Sequence, residues 1–305
     1  MPKNKIKLII NPNADLGRAW RLGEDLNRVV AEFGGADWSG TVYPTHATQL
    51  AMQAADEGYE TVVSIGGDGT THEIINGLMM IPAERRPRLG VVPVGTGNDF
   101  AHSVGVPIRP EIAMRQVFSG TPKKVDLAVV VDEHGRQEYW DNTFGIGFDA
   151  TVTLRSRRVP VLRGFFVYLV SVIQTIVLNY DAAHLKVQTD NESWEDDILM
   201  LVMCNGPREG GGFHVAPEAV NNDGHLDYAG ITKVSRLMMF RLIPEVMNGT
   251  HGRFKQVRMN RFRQMKVESD RPLFIHIDGE IYAGFGSNVR QLSIEILPGA
   301  LEVMV

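Results

Sequence analysis

Val62-Val63-Ser64-Ile65-Gly66-Gly67-Asp68-Gly69-Thr70 runs apolar and then breaks into three glycines, a carboxylate and a hydroxyl. A run of Val and Ile closed by glycine reads as a buried strand, and residues 70–78 behind it read as a helix opened by a hydroxyl cap. The glycines therefore stand at a strand-to-helix turn. Such a turn suits phosphate, because glycine lets an anion approach the backbone while the free N–H groups and positive end of the helix favour negative charge. Asp68 offers a carboxylate for a magnesium ion, and Thr70 a hydroxyl for a phosphate oxygen. The plainer reading is a tight βα turn with Asp68 and Thr70 as caps. The spacing is neither that of a P-loop nor that of the Gly-x-Gly-x-x-Gly dinucleotide turn.

Working outward, residues 5–10 read as a first strand and Asn11-Pro12-Asn13-Ala14-Asp15 as the loop leaving it. Ala19, Leu22, Leu26, Val29, Val30 and Phe33 then fall at helical spacing before Gly34-Gly35. A short strand is expected around residues 41–43, followed by an amphipathic helix carrying Ala47, Leu50, Ala51, Ala54 and Ala55. Past the opening stretch, Leu89-Gly90-Val91-Val92-Pro93-Val94 makes a fourth strand that enters a second special turn, Gly95-Thr96-Gly97-Asn98-Asp99-Phe100. Four strands alternating with helices imply a doubly wound parallel sheet, the α/β class, with ligands at the carboxyl ends of the strands. Both glycine turns and Asn11 lie at that edge.

Near Ser119-Gly120-Thr121-Pro122 the pattern changes to short strand-like runs, at 125–131, 138–140, 185–188, 198–204, 225–231, 256–259, 265–268, 273–277 and 292–296. Asp132 to Arg136 reads as a hairpin turn. Two segments look helical, 163–179 and 235–248, the second interrupted at Pro244. The expected division is an α/β domain at 1–124, to which 299–305 may return, and a mainly antiparallel β-sandwich domain at 125–298.

At 305 residues, two domains are the prior expectation, and the net charge of −5 argues against nucleic acid as a partner. Cys204 is the single cysteine, which excludes an internal disulfide and a multi-cysteine metal site and fits a reducing compartment. The first residues, Met1 to Lys7, lack the long apolar run of a signal peptide. The apolar run 165–178 is too short to span a bilayer. With Ser171, Thr175 and Asn179 on one narrow stripe, it is either buried on most sides or faces something greasy. Arg155-Ser156-Arg157-Arg158 ahead of it makes a basic-then-apolar order, as in an interfacial segment. Arg253, Lys255, Arg258, Arg261, Arg263 and Lys266 form an acid-free basic run, suited to anionic headgroups or to pairing with acids elsewhere.

Taken in order, several stretches resemble the diacylglycerol kinase catalytic-domain family, which covers soluble bacterial lipid kinases and sphingosine kinases. They are Asn11-Pro12, His46-Ala47, Gly66 to Thr70 with Glu73 and Asn76-Gly77, and Pro93 to Ala101. Val125-Asp126, Gly145-Ile146-Gly147-Phe148-Asp149, Gly210 to Gly212, Asp223 to Asp227 and Asp278-Gly279-Glu280 continue the match. The resemblance implies an ATP- and magnesium-dependent lipid kinase with nucleotide in the cleft between two domains, acting on a diacylglycerol-like hydroxyl. It implies that Asn11, Thr45, Gly66, Gly67, Gly69, Thr70, Gly95, Thr96, Gly97 and Asn98 hold ATP. Asp68, Asn98, Asp99 and Asp126 would position the catalytic magnesium and its waters, and Asp278 would be the general base. Asp223, with the carbonyls of Val220 and His225, would bind a second, structural magnesium. The expected setting is cytoplasmic and peripheral to the inner membrane face, with a homodimer allowed.

Two departures stand out: Asn13-Ala14-Asp15-Leu16-Gly17 replaces the usual serine- and glycine-bearing loop, and His102 stands where arginine is frequent. Phosphoryl transfer needs backbone donors, metal-holding carboxylates and a carboxylate near the acceptor, all of which these residues offer. Asp278 follows a strand and precedes glycine, so it reads equally as a base at a strand end or as a hairpin aspartate. The competing readings are an NAD kinase, which shares the Gly-Gly-Asp-Gly turn, and a non-catalytic lipid-binding protein of the same fold.

Overall fold

The computed structural model describes residues 5–157, 165–284 and 286–305. The chain divides into two compact units, 1–126 with 299–305, and 127–298.

Unit 1 is built on β1 (Ile6–Ile10), β2 (Asp37–Gly40), β3 (Thr61–Gly66) and β4 (Arg88–Pro93), all parallel, in the order β2-β1-β3-β4. Around them lie α1 (Ala14–Glu32), α2 (His46–Asp56), α3 (Asp68–Met79), α4 (Asp99–Val104) and α5 (Pro110–Ser119). β3 is buried along its whole length, as its Val- and Ile-rich run requires in a sheet covered on both faces, and the Ser64 hydroxyl within it is hydrogen-bonded to that of Thr71 (2.9 Å). The second strand lies at 37–40, ahead of the 41–43 expected, because Lys7 to Ile10 pair there in register. Gly67, extended, is the N-cap of α3, so Thr70 sits inside the first turn and is not the cap. Glu73 does a capping job elsewhere: its carboxylate accepts from the N–H groups of Thr45 (2.9 Å) and Ala47 (3.1 Å) at the start of α2.

Unit 2 follows with β5 (Pro122–Asp132), β6 (Gln137–Trp140), β7 (Thr143–Gly147), α6 (Phe148–Ser156), α7 (Phe165–Leu178), β8 (Ala183–Thr189) and β9 (Ser193–Cys204). After these come β10 (Leu226–Thr232), α8 (Arg236–Met247), β11 (Val257–Phe262), β12 (Gln264–Ser269), β13 (Ile275–Ile277), β14 (Glu280–Ala283) and β15 (Gln291–Met304). The boundaries between units fall within β5 and β15. β9 is the spine: its first half pairs antiparallel with β8, its second with β7 and β10. Alternation along β9 feeds two cores. Leu201 and Met203 enter the sandwich interior with Trp140, Phe144 and Tyr228, while Met200, Val202 and Cys204 face a second core with α6, α7 and α8. α6 was not expected from periodicity. β7 and β14 also lie outside the expected strands, and α8 continues through Pro244. The hairpin at Asp132 closes with Asp132 N–H on the Arg136 carbonyl (3.1 Å).

Candidate active site

In unit 1 the two glycine turns are packed against each other at the carboxyl edge of the sheet. A Cβ on Gly95 would collide with the Gly67 Cα, one on Gly67 would sit 3.1 Å from the Gly95 Cα, and one on Gly66 would meet the Thr70 side chain. These positions are glycine because backbone passes backbone there. Gly97 is glycine for a different reason: a Cβ would lie 2.9 Å from Asp68 Oδ2 and 2.9 Å from Asp99 Oδ2. Two carboxylates thus converge on one bare stretch of main chain. Asp68 Oδ1 accepts the Phe100 N–H (3.3 Å), tying the start of α3 to the start of α4. Asn98 is left-handed (φ 52°), donates to the Gly95 carbonyl at 2.9 Å, and keeps a buried Oδ1 without a hydrogen-bond partner. Asn11 donates to Thr70 Oγ1 (3.1 Å), joining the end of β1 to the same turn.

The remaining residues of unit 1 expected at the site are spread around this edge. Gly69 lies in the first turn of α3, Thr96 is exposed, and Thr45 is exposed and left-handed (φ 68°) at the N-cap of α2. Asp15, Leu16 and Gly17 are left-handed in succession (φ 47°, 53° and 79°), so the loop after Asn11-Pro12 continues into the residues assigned to α1. Left-handed backbone costs about 1–2 kcal/mol at a non-glycine residue, and strain of this kind concentrates at ligand clamps. Asp126 is buried and accepts the Gly299 N–H (2.7 Å), fastening the returning C-terminal strand. Among the described residues, Asp68, Asp99 and Asp126 do not form a trio with oxygens all within 4.8 Å.

In unit 2, Asp278 and Gly279 (φ 48° and 82°) form the tight turn between β13 and β14, so the hairpin geometry is real. The side chain does more than a turn needs. It is buried, its Oδ1 accepts the N–H groups of Asn142 and Thr143 (3.0 Å each), and its Oδ2 accepts that of Asp141 (3.1 Å). Three backbone N–H groups on its two oxygens hold this carboxylate in one orientation.

Unit 2 also contains a cleft of about 660 Å³, counted to its open mouth. Its walls are mostly apolar, with Phe148, Tyr168, Val172, Phe213, Met239 and Leu242 among them, and Asp149 and Glu209 also line it. Behind these, His276 is fully buried, with Nε2 2.6 Å from Asp149 Oδ2 and 3.1 Å from Glu209 Oε1. Burial pushes the His276 imidazole down, but Asp149 and then Glu209 outweigh it and hold it at about 10. Glu209 is pushed up by burial and by Asp149, against the pull of His276. Gly145 leaves the room for this trio, since a Cβ there would collide with both Asp149 and His276.

A diacylglycerol kinase catalytic-domain model matches residues 5–130, and a YegS C-terminal, NAD kinase β-sandwich-like domain model matches 142–305. The chain belongs to the diacylglycerol kinase catalytic-domain family. It is 30% identical over 258 residues to a Serratia proteamaculans protein named "Probable lipid kinase YegS-like", covering 84% of this chain and 80% of that one. A Yersinia pestis protein of the same name is also 30% identical, with 84% and 82% covered. A solved diacylglycerol kinase from Bacillus anthracis str. Sterne shares the fold at a TM-score of 0.73 and 21% identity, with 99% of this chain and 97% of that one covered. A second solved chain from the same source reaches 0.78 at 24% identity with the same coverage. The chain is a kinase of this family, with the family's parallel-sheet N-terminal domain and β-sandwich-like C-terminal domain.

Other expected residues sit differently from a simple metal loop or basic face. Asp223 accepts the His225 N–H (3.0 Å) and is ion-paired with Arg261, which also lies 3.8 Å from Asp227 Oδ2. Val220 is partly exposed nearby in sequence. The Asp223 carboxylate is thus engaged by a guanidinium as well as by its own turn. Burial pushes Asp227 up to about 6, with the Asp223 and Glu218 charges adding to it and Arg261 opposing. Of the basic run, Arg253 pairs with Glu245, Arg258 lies 3.7 Å from Glu192 and over the Trp194 ring, and Arg261 is taken as described. Arg158, Arg163 and the first four residues of the chain lie outside the described residues. Asp149, Glu209 and His276 carried no role in the sequence reading. The signal was the crowding of glycine at 145 and 147 ahead of an aspartate, but nothing in sequence linked residues 127 positions apart.

Proposed function

We propose that this kinase transfers the γ-phosphoryl group of ATP to the hydroxyl of a diacylglycerol-like lipid. The observation that carries the lipid reading is the apolar cleft of unit 2 with Asp149 and Glu209 in its lining. Apolar walls with a few polar groups suit acyl chains below a hydroxylated head. An NAD acceptor would present charged phosphates to those carboxylates, and nothing in the cleft favours it.

On this reading the backbone of the two glycine turns, with Thr70 and Asn11 beside them, binds the nucleotide phosphates at the head of α3. Asp68 and Asp99 fit magnesium, which favours carboxylate oxygens, and the buried, unpartnered Asn98 Oδ1 suits a water on that ion. Bound magnesium supplies neutralisation of the charge on the phosphoryl oxygens. Asp278, aimed by three N–H groups, accepts the proton of the lipid hydroxyl. On this reading the enzyme meets its substrate peripherally; no helix among the described residues is long and apolar enough to cross a membrane.

The test is transfer of labelled γ-phosphate from ATP to a panel of micelle-dispersed lipids, with NAD included. Diacylglycerol-type alcohols should be labelled, and Asp68→Ala should abolish labelling while leaving the protein folded. Labelling of NAD alone, or full activity in a folded Asp68→Ala protein, would overturn the assignment.

A further inference from the structure

α7 is amphipathic in the wrong direction for a helix that meets water. Two of its polar side chains point inward while Gln174 is exposed: Ser171 and Thr175 are fully buried, and each hydroxyl donates to a carbonyl one turn back, Val167 at 2.8 Å and Ser171 at 2.7 Å. One row of its apolar side chains points outward. Phe166, Val170, Ile173 and Val177 fall at i, i+4, i+7 and i+11, a single row, and Phe166, Ile173, Val177 and Leu178 are 41–64% exposed. α8, tied to α7 by Arg236 Nε on the Ile176 carbonyl (3.0 Å), adds Leu237 at 80% and Phe240 at 39%. Scattered exposed apolar residues need no explanation, but a row across two joined helices does.

We propose that this face of α7 and α8 inserts among the headgroups of an anionic lipid bilayer. Charge selects a bilayer over a second protein surface. α7 carries no charged residue, and Arg155, which bonds Asn179 at the end of α7, and Arg236, which bonds the Ile176 carbonyl, stand beside it. The neighbouring carboxylates are already matched, Glu245 by Arg241 and Arg253 and Asp181 by Arg271. An apolar strip edged with arginine is the pattern of an interfacial helix. Continuity points the same way, because the opposite side of α7 lines the apolar cleft through Tyr168, Val172 and Ile176. One helix separates the lipid-sized cleft from the face that meets the bilayer. The inference rests on the lipid-kinase reading only for its purpose; the surface itself is argued from unit 2 alone.

The experiment is co-flotation with phosphatidylcholine vesicles containing phosphatidylglycerol, and with pure phosphatidylcholine vesicles. The parent should float with the anionic vesicles, and the triple variant Phe166→Ser, Ile173→Gln, Val177→Gln should bind on the order of ten-fold or more weakly, as three apolar groups leave the interface. Its melting temperature should equal or exceed the parent's. Ile108→Gln with Ile112→Gln, an exposed apolar pair in unit 1, should leave flotation unchanged. Equal flotation of parent and triple variant, or no flotation of the parent on either vesicle, overturns the proposal. So does a parent dimer that the triple variant alone dissolves, since a second copy would then cover the face. Because flotation needs no turnover, flotation that persists when no lipid is phosphorylated refutes the lipid-acceptor reading and not this one.

Discussion

Replacing Asp278 by Asn tests the geometry and the chemistry at once. The backbone tolerates it, because Asn is among the residues that accept the left-handed conformation Asp278 adopts (φ 48°). The side chain does not. Both carboxylate oxygens accept backbone N–H groups, and an amide can match only the two on Oδ1, from Asn142 and Thr143, while its NH2 faces the Asp141 N–H. One hydrogen bond to a charged group is lost, worth about 1.5–3 kcal/mol, and a donor is set against a donor in a buried place. Taking about 2 kcal/mol, and about 2–4 °C per kcal/mol for a domain of this size, the melting temperature should fall by about 4–8 °C. If Asp278 also takes the hydroxyl proton, kcat measured well below that transition should fall by roughly 10²–10⁴-fold, with ATP affinity little changed. Calorimetry, ATP titration and the transfer assay on the one variant separate the two contributions. A melting temperature within 1 °C of the parent would refute the hydrogen-bond reasoning, and a kcat within a few-fold would refute the base.

Two further substitutions follow from the packing. Gly95→Ala should lower the melting temperature and weaken ATP binding together, since the added methyl drives the two turns apart at Gly67; ATP affinity equal to the parent's would show that their contact is dispensable for nucleotide. His276→Gln should cost about 3–5 kcal/mol, because it leaves Asp149 and Glu209 facing each other without a cation. The His276 pKa is raised from 6.5 to about 10, so its stabilisation is fully present below pH 6.5 and is lost as the pH rises through about 10. Denaturation of parent and variant from pH 6.5 to 10 should therefore show a gap that narrows steadily; a constant gap would mean that His276 contributes by shape alone.

The parallel sheet of the N-terminal half was legible because β1, β3 and β4 are rich in Val, Ile and Leu and the turns after β3 and β4 are marked by glycine, both local signals, whereas β2, Asp-Trp-Ser-Gly, carries no such run and its place was missed. The β-sandwich class of the second half was legible from many short runs with turn residues between them. Its finer elements were not. α6 is only nine residues long and begins directly after a strand, so no helical period had room to show. Local sequence likewise put Asp68 and Asp99 at strand ends but could not tell a phosphate cradle from tight packing, and the turns around Gly67 and Gly95 are packed backbone against backbone.

Sequence alone determined the class of enzyme, since an ordered set of short motifs carries a family wherever its strands end. Tertiary structure alone decided which charges meet. Asp149 and His276 are 127 residues apart and come within 2.6 Å only because β7 and β13 pair antiparallel beside the start of α6. Arg258 and Arg261 read as a basic face until folding brings Glu192, Asp223 and Asp227 against them. The outward turn of α7 was equally hidden: a 3.6-residue period reveals that a polar stripe exists, but which side of the helix faces the protein is set by what packs against it. Here Ser171 and Thr175 of that stripe face inward while Asn179 is exposed, because the two hydroxyls are satisfied on the helix's own carbonyls and are buried without needing water.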